Sequence, residues 1–164
     1  MAEVLLGLGG NVGNVRDTLD RAIATLCDGQ EVRLIARSSD YLTPPWGVED
    51  QPPFVNLCLS AETRLTPHAL LARAQAVERA FGRDRTDERR YGPRPLDIDI
   101  LAYDDIVLDT PDLILPHRHL FDRAFVLVPL VEIAPQRMIA GRRIADALAM
   151  LDASAIKKLP PRFA

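Results

Sequence analysis

The spacing of apolar residues switches between two repeats in a fixed order over residues 4–103, and that order restricts the fold more than any other feature. Val4-Leu5-Leu6-Gly7-Leu8 reads as a buried strand. After a glycine-rich stretch, Asn14 is placed to cap a helix, with Asp17 in its first turn. Val15, Leu19, Ala22, Ile23 and Leu26 then recur at helical spacing, and Gly29 ends the helix. From Glu31 the period becomes two. Val32, Leu34 and Ala36 alternate with Glu31, Arg33 and Arg37 in a strand predicted to reach Leu42. Residues 43–53 contain four prolines and a glycine, which makes them a shaped loop. A third strand is predicted from Phe54 to Thr63, with Val55, Leu57, Leu59 and Ala61 on one face and Phe54 and Asn56 on the other. Thr66-Pro67 opens a second helix striped by Leu70, Ala74, Val77 and Phe81, and Gly82 ends it. A fourth strand covers 96–103.

This β-α-β-β-α-β order predicts an α+β fold of ferredoxin-like arrangement, an antiparallel sheet with both helices on one face. Asp104-Asp105 reads as a turn into a short strand, Ile106-Val107-Leu108, followed by a proline-bounded loop over 109–122. A helical stretch over 123–133 is expected to break or kink at Pro129. Ile144, Leu148 and Leu151 mark a last short helix, so the fold gains a C-terminal helical extension, and the tail from Lys157 to Pro161 reads as peripheral. The 164 residues are expected to form a single domain, 1–164, and a 48% hydrophobic content supplies its core without a disulfide or structural metal. With both helices on one side, the other sheet face is left open. Alternation puts Phe54, Asn56, Asp97 and Asp99 on it, and a site is expected there.

The chemistry concentrates in Arg94-Pro95-Leu96-Asp97-Ile98-Asp99-Ile100. On one strand face, two carboxylates stand about 7 Å apart and repel unless a cation lies over them. Just upstream are Arg83, Arg85, Arg89 and Arg90. Carboxylates suit Mg²⁺ and guanidinium forks suit phosphate oxygens, so together they suggest a magnesium-polyphosphate site. Exposed acids on an edge strand are commonly only solvated charges, and Asp84, Asp87 and Glu88 partly offset the arginines. Arg94 and the flanking Gly92-Pro93 favour the metal reading. Gly7-Leu8-Gly9-Gly10-Asn11-Val12-Gly13 lacks the G-x-G-x-x-G spacing of a dinucleotide site, so a tight structural turn is the expectation. His117 follows Pro116 and is a candidate phosphate contact, whereas His68 and His119 read as structural or idle.

A net charge of −3 argues against a general nucleic-acid binder and points the basic cluster at a small molecule. Cys27 and Cys58 lie far apart among apolar neighbours, as reduced thiols in a cytoplasmic protein would. Neither a signal peptide nor a membrane span is expected. Two rival classes remain open at this point. One is an RNA-binding module using the arginines and aromatics, and the other is a catalytically silent nucleotide sensor.

The motifs resemble those of the 6-hydroxymethyl-7,8-dihydropterin pyrophosphokinase family. The resemblance runs through Leu8–Gly13, Tyr41–Gly47, Gln51–Asn56, Gly92–Asp99, Pro116-His117 and Arg123–Pro135, in the family's order. It implies transfer of pyrophosphate from ATP to a pterin alcohol, with Asp97 and Asp99 holding two Mg²⁺ ions. It assigns catalytic roles to Asp97, Asp99, Arg83 and Arg94. ATP contacts are implied for Gln75, Glu78, Arg83, Arg85, Tyr91, Arg94, Ile100, His117 and Arg123. The pterin is expected between Phe54 and Phe125, with Thr43, Pro44, Trp46, Gly47 and Asn56 around its edge. Tyr91 stands where many members carry Trp, and Phe54 where some carry Tyr. The loop over 83–91 reads as one residue longer than in familiar members, and is expected to be unanchored until ligand arrives, bringing Arg83 and Arg85 onto the phosphates as it closes. Partners are the two small substrates, with a monomer as the default.

Overall fold

A computed structural model describes residues 1–45, 49–84, 86 and 92–163. Strand β1 (Ala2–Gly10) leads into helix α1 (Val15–Leu26), and Asn14 caps that helix by accepting the Asp17 N–H at 3.4 Å. Strands β2 (Val32–Arg37), β3 (Tyr41–Thr43) and β4 (Phe54–Thr63) follow, then α2 (Pro67–Ala80) and β5 (Asp97–Tyr103). Thr66 caps α2 by accepting the Ala69 N–H at 3.2 Å, a contact that contributes about 1 kcal/mol in such helices.

The strand expected over 31–42 is two strands. β2 pairs with the second half of β4, and β3 pairs with its first three residues. The break falls at Ser38-Ser39-Asp40, where the Ser38 hydroxyl accepts the Cys58 N–H at 2.9 Å and stands in for a ladder carbonyl. β4 lies antiparallel to β1, and β1 antiparallel to β5. The tail is not peripheral: β10 (Lys157–Lys158) adds an antiparallel strand outside β3, giving the order β10-β3-β4-β1-β5 with β2 also on β4. Backbone and side-chain bonds fix it, from Leu159 N–H to Asp40 C=O at 2.9 Å and from Arg16 to Pro160 C=O at 2.6 Å.

Alternation along each strand sorts residues between two cores. Leu6, Leu8, Leu57, Leu59, Ile98 and Ile100 face Leu19, Leu26, Leu70 and Val77 of α1 and α2. Truncating a fully buried leucine here costs about 2–5 kcal/mol. The opposite sheet face is only half open, contrary to the expectation of a free face. Its Leu5, Cys58, Leu101 and Ala102 are covered by α3 (Ala124–Ile133) and α4 (Ile144–Ala149). α3 is apolar on nearly every side and must be buried, and these residues offer the matching surface. It runs on through Pro129 without a break, its packing offsetting the missing N–H. Between β1 and β5 the register slips at Leu101, so Leu101 and Ala102 both enter this second core while Ile100 and Tyr103 stay in the first.

Two short hairpins complete the chain, β6 (Leu108–Asp109) with β7 (Ile114–Leu115) and β8 (Met138–Ile139) with β9 (Arg142–Arg143). The strand expected at 106–108 thus starts later. Ile106 still belongs to the turn, its N–H on Tyr103 C=O, and Val107 is exposed. Among the described residues no helix is long and apolar enough to cross a membrane.

Candidate active site

The uncovered half of that second face is a cleft of about 340 Å³. Its floor is β1, β4 and β5. From β5, Asp97 and Asp99 point in because Ile98 and Ile100 point into the core. From β4, Phe54 and Asn56 point in by the same alternation. Thr43 and Pro44 bound one end, and His117, Arg118, His119, Arg123 and Phe125 come from the segment that leads into α3.

The glycines of β1 make this floor. Gly9 and Gly10 lie within the strand and not in the tight turn expected from the spacing. A Cβ on Gly9 would sit 2.1 Å from the Asn56 Oδ1, and one on Gly10 would sit 2.4 Å from the Pro95 carbonyl oxygen. The Asn56 amide occupies the space a Cβ on Gly9 would fill and donates to the Thr43 hydroxyl at 2.7 Å. Asn11, just beyond, is buried and joins the two loops that rim the cleft. It donates to the Gln51 Oε1 and the Pro52 carbonyl, both at 2.9 Å, and accepts the Arg94 N–H at 3.0 Å. A short buried amide after a glycine run is the signal that marks such a staple.

Charge is arranged in layers beneath the cleft. Arg83 is not the unanchored loop residue expected from sequence. It is buried, with Nη1 2.6 Å from Glu78 Oε2, 2.7 Å from Asp97 Oδ1 and 3.3 Å from the Leu96 carbonyl. Glu78 is buried too and accepts the Ile98 N–H at 2.8 Å, so it braces β5 from behind. Arg94 lies 3.8 Å from the other oxygen of Asp97, with its Nε bonded to Gly92 C=O at 3.1 Å. Asp99 has about a third of its side chain open to the cleft. Its burial, then the neighbouring Asp97 charge, push its carboxyl up to about 8 against the pull of Arg123. Two neighbouring acids that resist ionising together are a site that gains from an added cation.

His117 is anchored to β5 through its N–H on the Leu101 carbonyl at 2.9 Å. Its Nδ1 accepts the His119 N–H at 3.1 Å, which leaves the ring proton on Nε2, 3.9 Å from Asp99 Oδ1. Burial and the Arg123 charge push this imidazole down to about 4, so it is a neutral donor at neutral pH. The Arg123 guanidinium stands 5.5 Å from the Phe125 ring centroid, joining the charged end of the cleft to the aromatic end.

The cleft brings together Arg83, Arg94, Asp97, Asp99, His117, Arg123, Thr43, Pro44, Phe54, Asn56 and Phe125. Glu78 lies behind it, and Ile100 puts its side chain into the core, leaving only its backbone toward the β5 edge. Gln75 is half-buried on α2, away from the cleft lining. Trp46, Gly47, Arg85, Tyr91 and the closing loop expected over 83–91 lie, apart from residues 83, 84 and 86, outside the described residues. His119, expected to be structural or idle, and Arg118, which no sequence motif marks, line the cleft, and His68 pairs with Asp112 at 3.2 Å on the surface.

Comparison with known proteins converges on one group. A solved structure of HPPK-DHPS in complex with substrates matches the fold with a TM-score of 0.70 at 15% identity, over 91% of this chain and 43% of that one. A 2-amino-4-hydroxy-6-hydroxymethyldihydropteridine pyrophosphokinase of Methylorubrum extorquens is 47% identical over 97% of this chain and 99% of its own length. A protein of the same name from Pseudomonas aeruginosa is 40% identical over 96% and 97%. The family model for 7,8-dihydro-6-hydroxymethylpterin-pyrophosphokinase matches residues 5–135, the span that holds every residue of the cleft, and the chain belongs to that family.

Proposed function

We propose that this chain transfers pyrophosphate from ATP to the hydroxymethyl group of 6-hydroxymethyl-7,8-dihydropterin, forming the pterin diphosphate and AMP in folate biosynthesis. The observation that carries the reading is a single cleft with cations and paired carboxylates at one end and two aromatic rings flanking an amide at the other. The order β5-β1-β4 with β2 and β3 beyond supports the ferredoxin-like description of the sheet, and the chain works as one unit around one site.

The pterin ring lies between Phe54 and Phe125, with the Asn56 amide and Thr43 at its edge. Stacking of this kind contributes about 0.5–1.5 kcal/mol beyond the area buried. Arg94, Arg123 and the neutral His117 Nε2–H take the phosphate oxygens. The alcohol oxygen attacks the β-phosphorus and the α-phosphate oxygen leaves with AMP, so catalysis rests on alignment and charge neutralisation. Arg83 orients Asp97 from the cleft floor.

The carboxylates fit Mg²⁺. The raised Asp99 carboxyl and the adjacent Asp97 are hard oxygen donors whose repulsion a divalent ion relieves. Two carboxylates would fill only part of the shell of an ion that keeps waters and substrate oxygens. Bound there, Mg²⁺ would neutralise charge on the phosphates. A cytoplasmic setting fits the two free thiols. The test is formation of AMP and pterin diphosphate from ATP, pterin alcohol and Mg²⁺. A protein that binds ATP yet forms no AMP with the pterin present overturns the reading.

A further inference from the structure

Glu132 sits on α3, in the segment Val131-Glu132-Ile133, outside the cleft lining. Its neighbours are unusual for a surface glutamate. Oε1 accepts the Tyr41 hydroxyl at 2.5 Å, and Oε2 accepts both the Ser39 N–H at 2.7 Å and the Ser39 hydroxyl at 3.2 Å. Lys158 of β10 stands 3.9 Å away. Burial raises its carboxyl but is outweighed by the bonds from Tyr41 and Ser39, so the net effect is a lowered pKa and a firmly ionised group.

The partners lie on one side of the pterin end and Glu132 lies on the other. Tyr41 opens β3, whose last residue is Thr43, and Thr43 accepts the Asn56 amide and pairs across the ladder with Phe54. Glu132 is seven residues after Phe125, two helical turns along, so both project from the same side of α3. Phe125 and the Thr43-Asn56-Phe54 wall are therefore tied by one carboxylate across the seam between α3 and β3. The break at Ser38-Ser39-Asp40 is what makes the tie available, because it frees the Ser39 N–H from the sheet ladder.

The geometry points to Glu132 as a positioning residue that sets the width of the pterin slot and leaves the nucleotide end untouched. This inference rests on the pterin reading of that slot. A displacement of about 1 Å at a well-fitted site is enough to cost ten- to hundredfold. Replacing Glu132 by Ala should weaken pterin binding about tenfold while changing ATP affinity less than about twofold. Glu132→Gln, which keeps one acceptor and the side-chain length, should recover part of the loss. Tyr41→Phe should show a smaller loss of the same kind, and Lys158→Ala none.

Calorimetry with the pterin alcohol and, separately, with ATP and Mg²⁺ reads the split. Amide hydrogen exchange of residues 39–43 in the ligand-free protein reads the tie itself and should rise in Glu132→Ala. Faster exchange with a selective loss of pterin affinity supports the inference. Equal losses for both ligands, unchanged pterin affinity or unchanged exchange at 39–43 would overturn it. Failure of the parent protein to form AMP from ATP and the pterin would fall on the proposed activity instead, and the exchange comparison would still decide the tie.

Discussion

Replacing Arg83 by Ala separates two views of how the acidic floor is held. The Arg83 side chain is 3% exposed and that of Glu78 is 1% exposed. One guanidinium nitrogen serves Glu78, Asp97 and the Leu96 carbonyl together. Without it, Glu78 keeps the Ile98 N–H but loses a charge partner at 2.6 Å in a site closed to water. Removing one partner of a buried pair costs about 3–5 kcal/mol, mostly the penalty of the charge left behind. For a chain of this size that lowers the melting temperature by about 6–20 °C. Differential scanning calorimetry of the ligand-free protein measures the shift, and urea unfolding gives the free energy independently. The double variant Arg83→Met/Glu78→Gln, with neither charge buried, should regain most of the loss. A melting temperature for Arg83→Ala within about 2 °C of the parent would refute the argument and restore Arg83 to the loop that was expected to carry it.

Asp99→Ala should abolish AMP formation while the ligand-free protein melts at or above the parent temperature, because a strained carboxyl is removed. Asp97→Ala should also lose activity but melt lower, since Asp97 offsets Arg83; equal melting of the two variants would contradict this. Phe125→Ala should weaken pterin binding by about 1–3 kcal/mol and ATP binding far less, as calorimetry with each ligand reads. Glu132 has a folded-state pKa below its unfolded value, so its contribution to stability is full above about pH 5 and is lost as pH falls through the folded pKa. Melting curves of parent and Glu132→Gln should therefore converge as pH drops below 4.5, and a constant gap would show that the carboxylate's charge plays no part.

The sheet and the polar face of its strands were legible because burial on one side forces a strict alternation. Val55, Leu57 and Leu59 against Phe54 and Asn56, and Ile98 and Ile100 against Asp97 and Asp99, needed no further information. Three things were hidden. The covering of the second face by α3 and α4 depends on tertiary pairing between an all-apolar helix and residues Leu5, Cys58 and Leu101, which no local period reports. The tail reads as polar and proline-rich, yet a strand edge at β3 gives Lys157 and Lys158 backbone partners that only the assembled sheet provides. Arg83 belongs by sequence to a charged loop. Its burial follows from where Glu78, five residues earlier in the last turn of α2, faces β5, a fact about helix packing and not about the loop.

β5 has consequences for how such a protein can change. Every side chain from Leu96 to Tyr103 is committed either to a core or to the cleft, and the Leu101 slip fixes the phase at one point. A single codon inserted or deleted between Asp99 and Leu101 would exchange the two sets ahead of it, driving Asp97 and Asp99 into the hydrocarbon beneath α2 and presenting isoleucines to the substrate. Selection can therefore alter length freely in the surrounding loops, whereas this strand is frozen as a block. For library design the useful diversity lies at the cleft wall around Arg118, with 96–103 inherited whole.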